Sequence, residues 1–237
     1  MRTARRFTAT AALACAAALG LTGCFASGPF ADLTGSEVAD KSVDALRGAA
    51  SLTVSGKVWD AGKPMDLNMA VSKSGECRGT IAGPEGSFEL IRNASSVFIK
   101  ADEPFYRSQM KDLPKAEADE AVKQLAGHWL KSKASDADAK ELASLCDLDE
   151  LLKEFDDSKG AQKGKVTSVG GQKALTLTTK ADEGTETLLV ATEGTPYLLK
   201  ASVTGKEPAE VSFSGFDKPV QAEAPAGEDV IDADKLG

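Results

Sequence analysis

Met65-Asp66-Leu67-Asn68-Met69-Ala70-Val71 sets an apolar side chain at every second position, with Asp66, Asn68 and Ala70 between them. Successive side chains of an extended strand point to opposite faces, so a period of two predicts a strand with one buried and one wet face. The preceding stretch repeats the pattern. Leu52, Val54 and Val58 alternate with Thr53, Ser55 and Lys57, and Asp60-Ala61-Gly62-Lys63 supplies the turn residues between the two strands. Further strands are predicted around Cys77–Ile81, Ser87–Ile91 and Val97–Ala101, separated by Gly83-Pro84-Glu85-Gly86 and Asn93-Ala94-Ser95-Ser96. Closely spaced strands with one apolar face make an antiparallel meander, and that face needs a cover.

The stretch from Ala101 to Gly160 supplies the cover. Phe105, Tyr106 and Met110 fall near a short helical segment, and Lys115–Leu125 is rich in Ala, Glu and Lys. Asp147-Leu148-Asp149-Glu150 is a capping-box candidate opening a helix with Leu148, Leu151, Leu152 and Phe155 on one face. From Val166 to Phe216 the period returns to two, with strands predicted around Val166–Val169, Leu175–Thr179, Thr185–Ala191, Tyr197–Val203 and Val211–Phe213. Gly86–Ala101 and Gly184–Ala201 are both Gly-started hairpins ending in an apolar-apolar-Lys-Ala strand, which points to two similarly built sheet halves.

Upstream, Thr34-Gly35-Ser36-Glu37 offers a capping box, and Ala39, Val43 and Leu46 predict an amphipathic helix over about Ser36–Arg47. Before it, a basic start (Arg2, Arg5, Arg6) and an apolar run from Phe7 to Leu21 end in Leu21-Thr22-Gly23-Cys24. The run is shorter than the roughly 20 residues of a membrane span. Its three parts are those of an export signal, and the closing four residues have the form of a bacterial lipobox. The expected organisation is a lipoprotein signal peptide over 1–23, a lipidated tether over 24–35 beginning at Cys24, a folded domain over 36–219, and an acidic flexible tail over 220–237. Phe7 directly follows Arg5-Arg6, which favours the general secretory route over the twin-arginine one.

The formal net charge is −8, and residues 1–23 hold three Arg and no acid, so the remainder carries −11. That excludes a basic nucleic-acid footprint and opposes electrostatic adhesion to an anionic membrane, leaving acyl chains as the attachment. Removing the signal leaves Cys24 for lipid, with Cys77 and Cys146 as the remaining thiols. In an exported chain these are read as one disulfide, the alternative being two buried free thiols.

Catalytic signals are sparse. His128, the single histidine, stands beside Trp129, and no Gly-x-Ser-x-Gly elbow, phosphate loop or His/Cys metal spacing is present. The expectation is a protein that is not an enzyme and uses no cofactor or metal. The apolar sheet face is the remaining candidate site: Leu52, Val54, Leu67, Met69, Val71, Phe88, Leu90, Val97, Ile99, Leu188, Val190 and Leu199, covered by Leu151, Leu152 and Phe155. These residues are either plain core or the lining of an acyl-chain pocket.

Several strings together carry a family resemblance: Cys77-Arg78-Gly79-Thr80-Ile81, Gly86-Ser87-Phe88-Glu89-Leu90-Ile91, Val97-Phe98-Ile99-Lys100, Trp129-Leu130-Lys131, Leu145-Cys146-Asp147-Leu148-Asp149 and Pro196-Tyr197-Leu198-Leu199-Lys200. With the lipobox, the chain resembles actinobacterial lipoproteins of the LppX/LprG type, related in fold to the LolA and LolB carriers. The resemblance implies an α+β fold, an open antiparallel half-barrel with helices on its concave face around an apolar cavity. It also implies a cell-membrane protein, lipid-anchored on the extracytoplasmic side, that binds lipids or glycolipids and carries them within the envelope. The sequence departs from that picture in its acidity, with no basic cluster evident for an anionic headgroup. The alternative is a non-enzymatic envelope scaffold or partner-binding lipoprotein with a filled core.

Overall fold

The computed structural model describes residues 28–155, 159–181 and 184–236; Cys24 and the expected signal peptide lie outside them. In chain order the elements are α1 (Gly35–Gly48), β1 (Ser51–Asp60), β2 (Lys63–Ser72), β3 (Cys77–Gly83), β4 (Gly86–Arg92), β5 (Ser96–Ala101), α2 (Glu103–Gln109), α3 (Lys115–Leu125), β6 (Trp129–Lys133), α4 (Ala137–Ser144) and α5 (Leu148–Leu152). The second half contributes β7 (Gln162–Val169), β8 (Gln172–Ala181), β9 (Gly184–Ala191), β10 (Leu198–Val203), β11 (Ala209–Ser214) and β12 (Val230–Asp232).

All twelve strands form one sheet in the order β12-β6-β5-β4-β3-β2-β1-β11-β10-β9-β8-β7. Two meanders are joined where β1 pairs with β11, Val54 opposite Phe213. The pairing is antiparallel throughout except for β12, which lies parallel to β6. Among the described residues β12 and β7 do not pair with each other, so the sheet is open. An open sheet of this width curls through its accumulated strand twist. Gly56 helps: it adopts φ 154° at a place where a Cβ would collide with the Glu210 carbonyl on β11. A glycine there lets the two halves approach along their joint.

The alternation in Met65–Val71 is reproduced by burial. Met69 and Val71 are buried opposite Val54 and Leu52, Met65 and Leu67 are partly buried, and Asp66 and Asn68 are exposed. One face of the sheet packs against α1, α4 and α5 in a single core: Val38 and Leu46 from α1, Ala139 and Ala143 from α4, and Leu148 and Leu152 from α5. The Thr34–Glu37 capping box forms as expected. Thr34 Oγ1 accepts from the Glu37 N–H at 3.2 Å, and the Glu37 carboxylate accepts from the Thr34 N–H at 2.7 Å. Cys77 on β3 and Cys146, just before α5, form the disulfide, their Cα atoms 5.4 Å apart. The bridge fastens the α4–α5 corner to the middle of the first meander.

Three expectations change. Of the stretch 24–35, expected as a tether, the described residues from 28 onward are folded. Phe30 is buried in the core, and the Lys163 ammonium on β7 donates to the carbonyls of Phe30 at 3.0 Å and Leu33 at 2.5 Å. The 220–237 tail contains β12, whose Val230, Ile231 and Asp232 lie opposite Trp129, Leu130 and Lys131. Getting there from β11 takes the chain across six strands on the face opposite the helices, where Ala222 packs on Ile91, Phe98 and Trp129. The third change concerns Leu199. Strict alternation puts it on the core face with Ala201, but the β9–β10 register shifts between Leu198 and Lys200. This bulge turns Leu198 into the core, while Leu199 joins Ala174 and Ala191 on the opposite face.

Candidate functional site

Strand direction alternates from β7 through β1 to β4, so the starts of β7, β2 and β4 lie at one end of the sheet. At that end a pocket of about 290 Å³ opens between the β1–β2 turn, the β3–β4 turn and α2. Its apolar wall is Met65 and Ile81 from paired strands, Phe88 from β4 and Phe105 from α2; Lys63, Ser108 and Gln109 supply polar atoms. The volume stands at the lower edge of the roughly 300–1,000 Å³ range of ligand pockets.

Each wall has a local cause. Pro84-Glu85 is a two-residue hairpin turn closed by the Gly83–Gly86 pair. Gly86 has φ 119°, and a Cβ there would collide with the Phe105 N–H, so its lack of a side chain lets α2 sit against the turn. Asp102 is the N-cap of α2. One carboxylate oxygen accepts from the Phe105 N–H at 2.9 Å, and the other accepts from the Ser87 N–H at 2.9 Å and the Ser87 hydroxyl at 2.7 Å. Desolvation pushes the Asp102 carboxyl up, but these bonds outweigh it and leave its pKa below the ordinary value. Phe105 then meets Phe88 with ring centroids 5.2 Å apart.

The rim is charged. Lys63 at the start of β2 and Lys111 just after α2 both place their ammonium 2.8 Å from the same oxygen of Glu85. Hydrogen bonds from Lys111 and then Lys63 lower the Glu85 pKa to about 2. Behind Phe105, Tyr106 is buried with Ala101 and Val122. Its hydroxyl has no hydrogen-bond partner among the described residues, and burial raises its pKa.

The expected cavity residues divide. Leu52, Val54, Met69, Val71, Leu90, Val97, Leu188, Val190 and Leu152 are buried in the helix-covered core, with Leu67, Leu151 and Phe155 packed partly buried against it. Ile99 is buried opposite Leu90. Phe88 alone of the expected set lines the pocket. Sequence reasoning missed Phe105, Lys63, Glu85 and Lys111 as a group. Its one available signal was the pair of Gly-containing turns flanking Met65 and Ile81.

His128 is exposed and lies outside the pocket lining. Among the described residues there is no group of three or more His, Cys, Asp or Glu able to hold a metal ion, and no helix long and apolar enough to cross a membrane.

These features define an α+β protein: one open, almost wholly antiparallel sheet of twelve strands with helices on a single face. No family model matches the chain, and no curated protein matches it. Solved structures do. The chain is similar to the Mycobacterium tuberculosis lipoprotein LppX, with 14% identity and a TM-score of 0.49 over 79% of this chain and 97% of that one. It is also similar to an uncharacterized conserved protein from Thermus thermophilus, with 10% identity and a TM-score of 0.37 over 83% and 98%. For MucB the identity is 16% and the TM-score 0.33, over 82% of this chain and 61% of that one.

Proposed function

We propose that the chain is a lipoprotein anchored through Cys24 on the extracytoplasmic face of the cell membrane, where it takes single lipid acyl chains into the pocket under α2 and carries them within the envelope. The observation that carries this reading is the position of the pocket. Phe30 and Leu33 are held at the start of β7, the same end of the sheet at which the pocket opens. From Cys24 to Phe30 the chain reaches at most about 20 Å when extended. An anchored Cys24 therefore keeps that end close to the bilayer. Each methylene moved from water into the pocket contributes about 0.8 kcal/mol, which is enough to retain a chain without any chemistry.

Native mass spectrometry and lipid extraction of the purified protein test the reading. A bound single-chain lipid, or uptake of a fluorescent one, is the expected result. Protein that is empty in every preparation and takes up no probe refutes it. Cys24→Ala is expected to release the protein from membranes with its fold intact, and full retention at the membrane removes the anchor from the proposal.

One observation favours a second reading, an envelope scaffold with a filled core. The broad sheet face under α1, α4 and α5 is packed, with Leu46, Leu52, Val71, Leu90 and Leu152 essentially inaccessible. Wild-type affinity for an envelope partner in a variant whose pocket is blocked by Ile81→Trp supports this reading.

A further inference from the structure

The rim of the pocket joins two cations that come from distant parts of the chain. Lys63 begins β2, Lys111 follows α2, and both ammonium groups contact one oxygen of Glu85 on the β3–β4 turn. They therefore stand no further apart than the sum of two hydrogen bonds. Two ammonium groups that close repel, and an anion between them relieves the repulsion. In the described structure Glu85 is that anion. All three side chains are substantially exposed, with relative exposures of 49%, 63% and 41% for Lys63, Lys111 and Glu85. Exposed ion pairs of this kind cost little to exchange for another partner. Directly inside the rim lie Met65, Ile81, Phe88 and Phe105. The order of surfaces from solvent inward is thus cationic and then apolar, as an amphiphile with a negative head and one hydrocarbon tail requires.

On this geometry, and resting on the lipid-binding reading above, we infer that the pocket's ligand is a single-chain amphiphile with an anionic headgroup. The headgroup takes the place of Glu85 between Lys63 and Lys111, and the tail lies against Phe88 and Phe105. Glu85 is then a built-in competitor: it holds the two lysines together when the pocket is empty and sets a threshold for the incoming anion. Neutral and cationic amphiphiles of equal length gain nothing at the rim.

Calorimetric titration of the full chain carrying Cys24→Ala with dodecanoate, dodecanol and dodecyltrimethylammonium, the two ionic probes below their micelle concentrations and dodecanol below its solubility limit, tests the inference. Dodecanoate is expected to bind about fivefold tighter than dodecanol, the size set by exposed charge pairs, with the advantage shrinking as salt rises. The double variant Lys63→Gln/Lys111→Gln is expected to abolish the difference. Glu85→Gln is expected to widen it, a change in the opposite direction that misfolding does not produce. If dodecanoate and dodecanol bind alike and none of these variants separates them, the headgroup inference is overturned while the pocket reading stands. If none of the three probes binds, both fall.

Discussion

Asp102 accepts two hydrogen bonds from Ser87, one from its N–H and one from its hydroxyl, while its other oxygen caps α2 through the Phe105 N–H. One carboxylate thus ties the end of β5, the start of β4 and the first turn of the helix that roofs the pocket. Replacing it by Ala removes a helix cap and leaves the Ser87 donors unsatisfied, which is expected to cost roughly 2 kcal/mol in denaturant-induced unfolding. The folded-state pKa is depressed, so this stabilisation is present above the ordinary value of 3.8 and is lost as pH falls through the lower folded value. Unchanged stability in Asp102→Ala, or an unchanged acid limb, contradicts the assignment.

Tyr106 offers a test of opposite sign. Its buried hydroxyl lacks a partner among the described residues, so the folded state bears a desolvation cost that Phe does not. Tyr106→Phe is expected to stabilise the protein by about 1 kcal/mol, raising the thermal midpoint by a few degrees. A fall in the midpoint means that the hydroxyl is bonded in solution.

Cys77 and Cys146 are 69 positions apart in the chain. Closing a loop of that size stabilises by about 4 kcal/mol in the chain-entropy model. Cys77→Ser/Cys146→Ser is expected to show most of that loss in urea unfolding, with faster amide exchange concentrated in α4 and α5. An even spread of exchange over the sheet counts against a local fastening role.

Glu85 should titrate well below an ordinary glutamate. Its carboxyl resonance is expected to move with a midpoint near 2 rather than the ordinary 4.5, because Lys111 and Lys63 both favour the ionised form. The ion-paired rim is therefore intact above about 4.5 and is lost as pH falls through about 2. Lys111→Gln is expected to return the midpoint part of the way towards 4.5, and a wild-type midpoint already there dissolves the cluster.

Lys163 on β7 fastens the segment that precedes α1 to the sheet. With its contacts to Phe30 and Leu33 removed in Lys163→Met, the 28–34 segment is expected to be cleaved by added protease roughly tenfold faster, while the global unfolding midpoint stays within a degree or two. Equal cleavage rates leave Phe30 burial as the whole of the docking.

Much of this architecture is legible in the sequence. Alternation in Met65–Val71 identifies the core face because one sheet side is wet, and the Thr34–Glu37 and Asp147–Glu150 patterns mark helix starts because capping is local chemistry. What escapes is whatever depends on a partner far along the chain. Leu199 is misplaced because a bulge reverses the parity of β10, and no residue type in Leu198-Leu199-Lys200 announces it. The pocket escapes because Phe105 meets Phe88 only after the backbone turns at Asp102. The basic rim escapes because Lys63 and Lys111 are ordinary surface lysines until the β3–β4 turn brings Glu85 between them. The path of residues 215–229 is hidden by composition, since Ala222 needs only a small apolar contact to find its place.

The joint between β1 and β11 sets the timing of folding. Thr53 pairs with Ser214, so the centre of the sheet is made from the first and the eleventh of its strands. A chain delivered N-terminus first can assemble β1 to β5 as hairpins in sequence, but β1 keeps an open edge until nearly all of the polypeptide has emerged. Contacts of such long sequence separation slow folding. The seam at the middle of the sheet is therefore among the last contacts that a chain emerging N-terminus first can close.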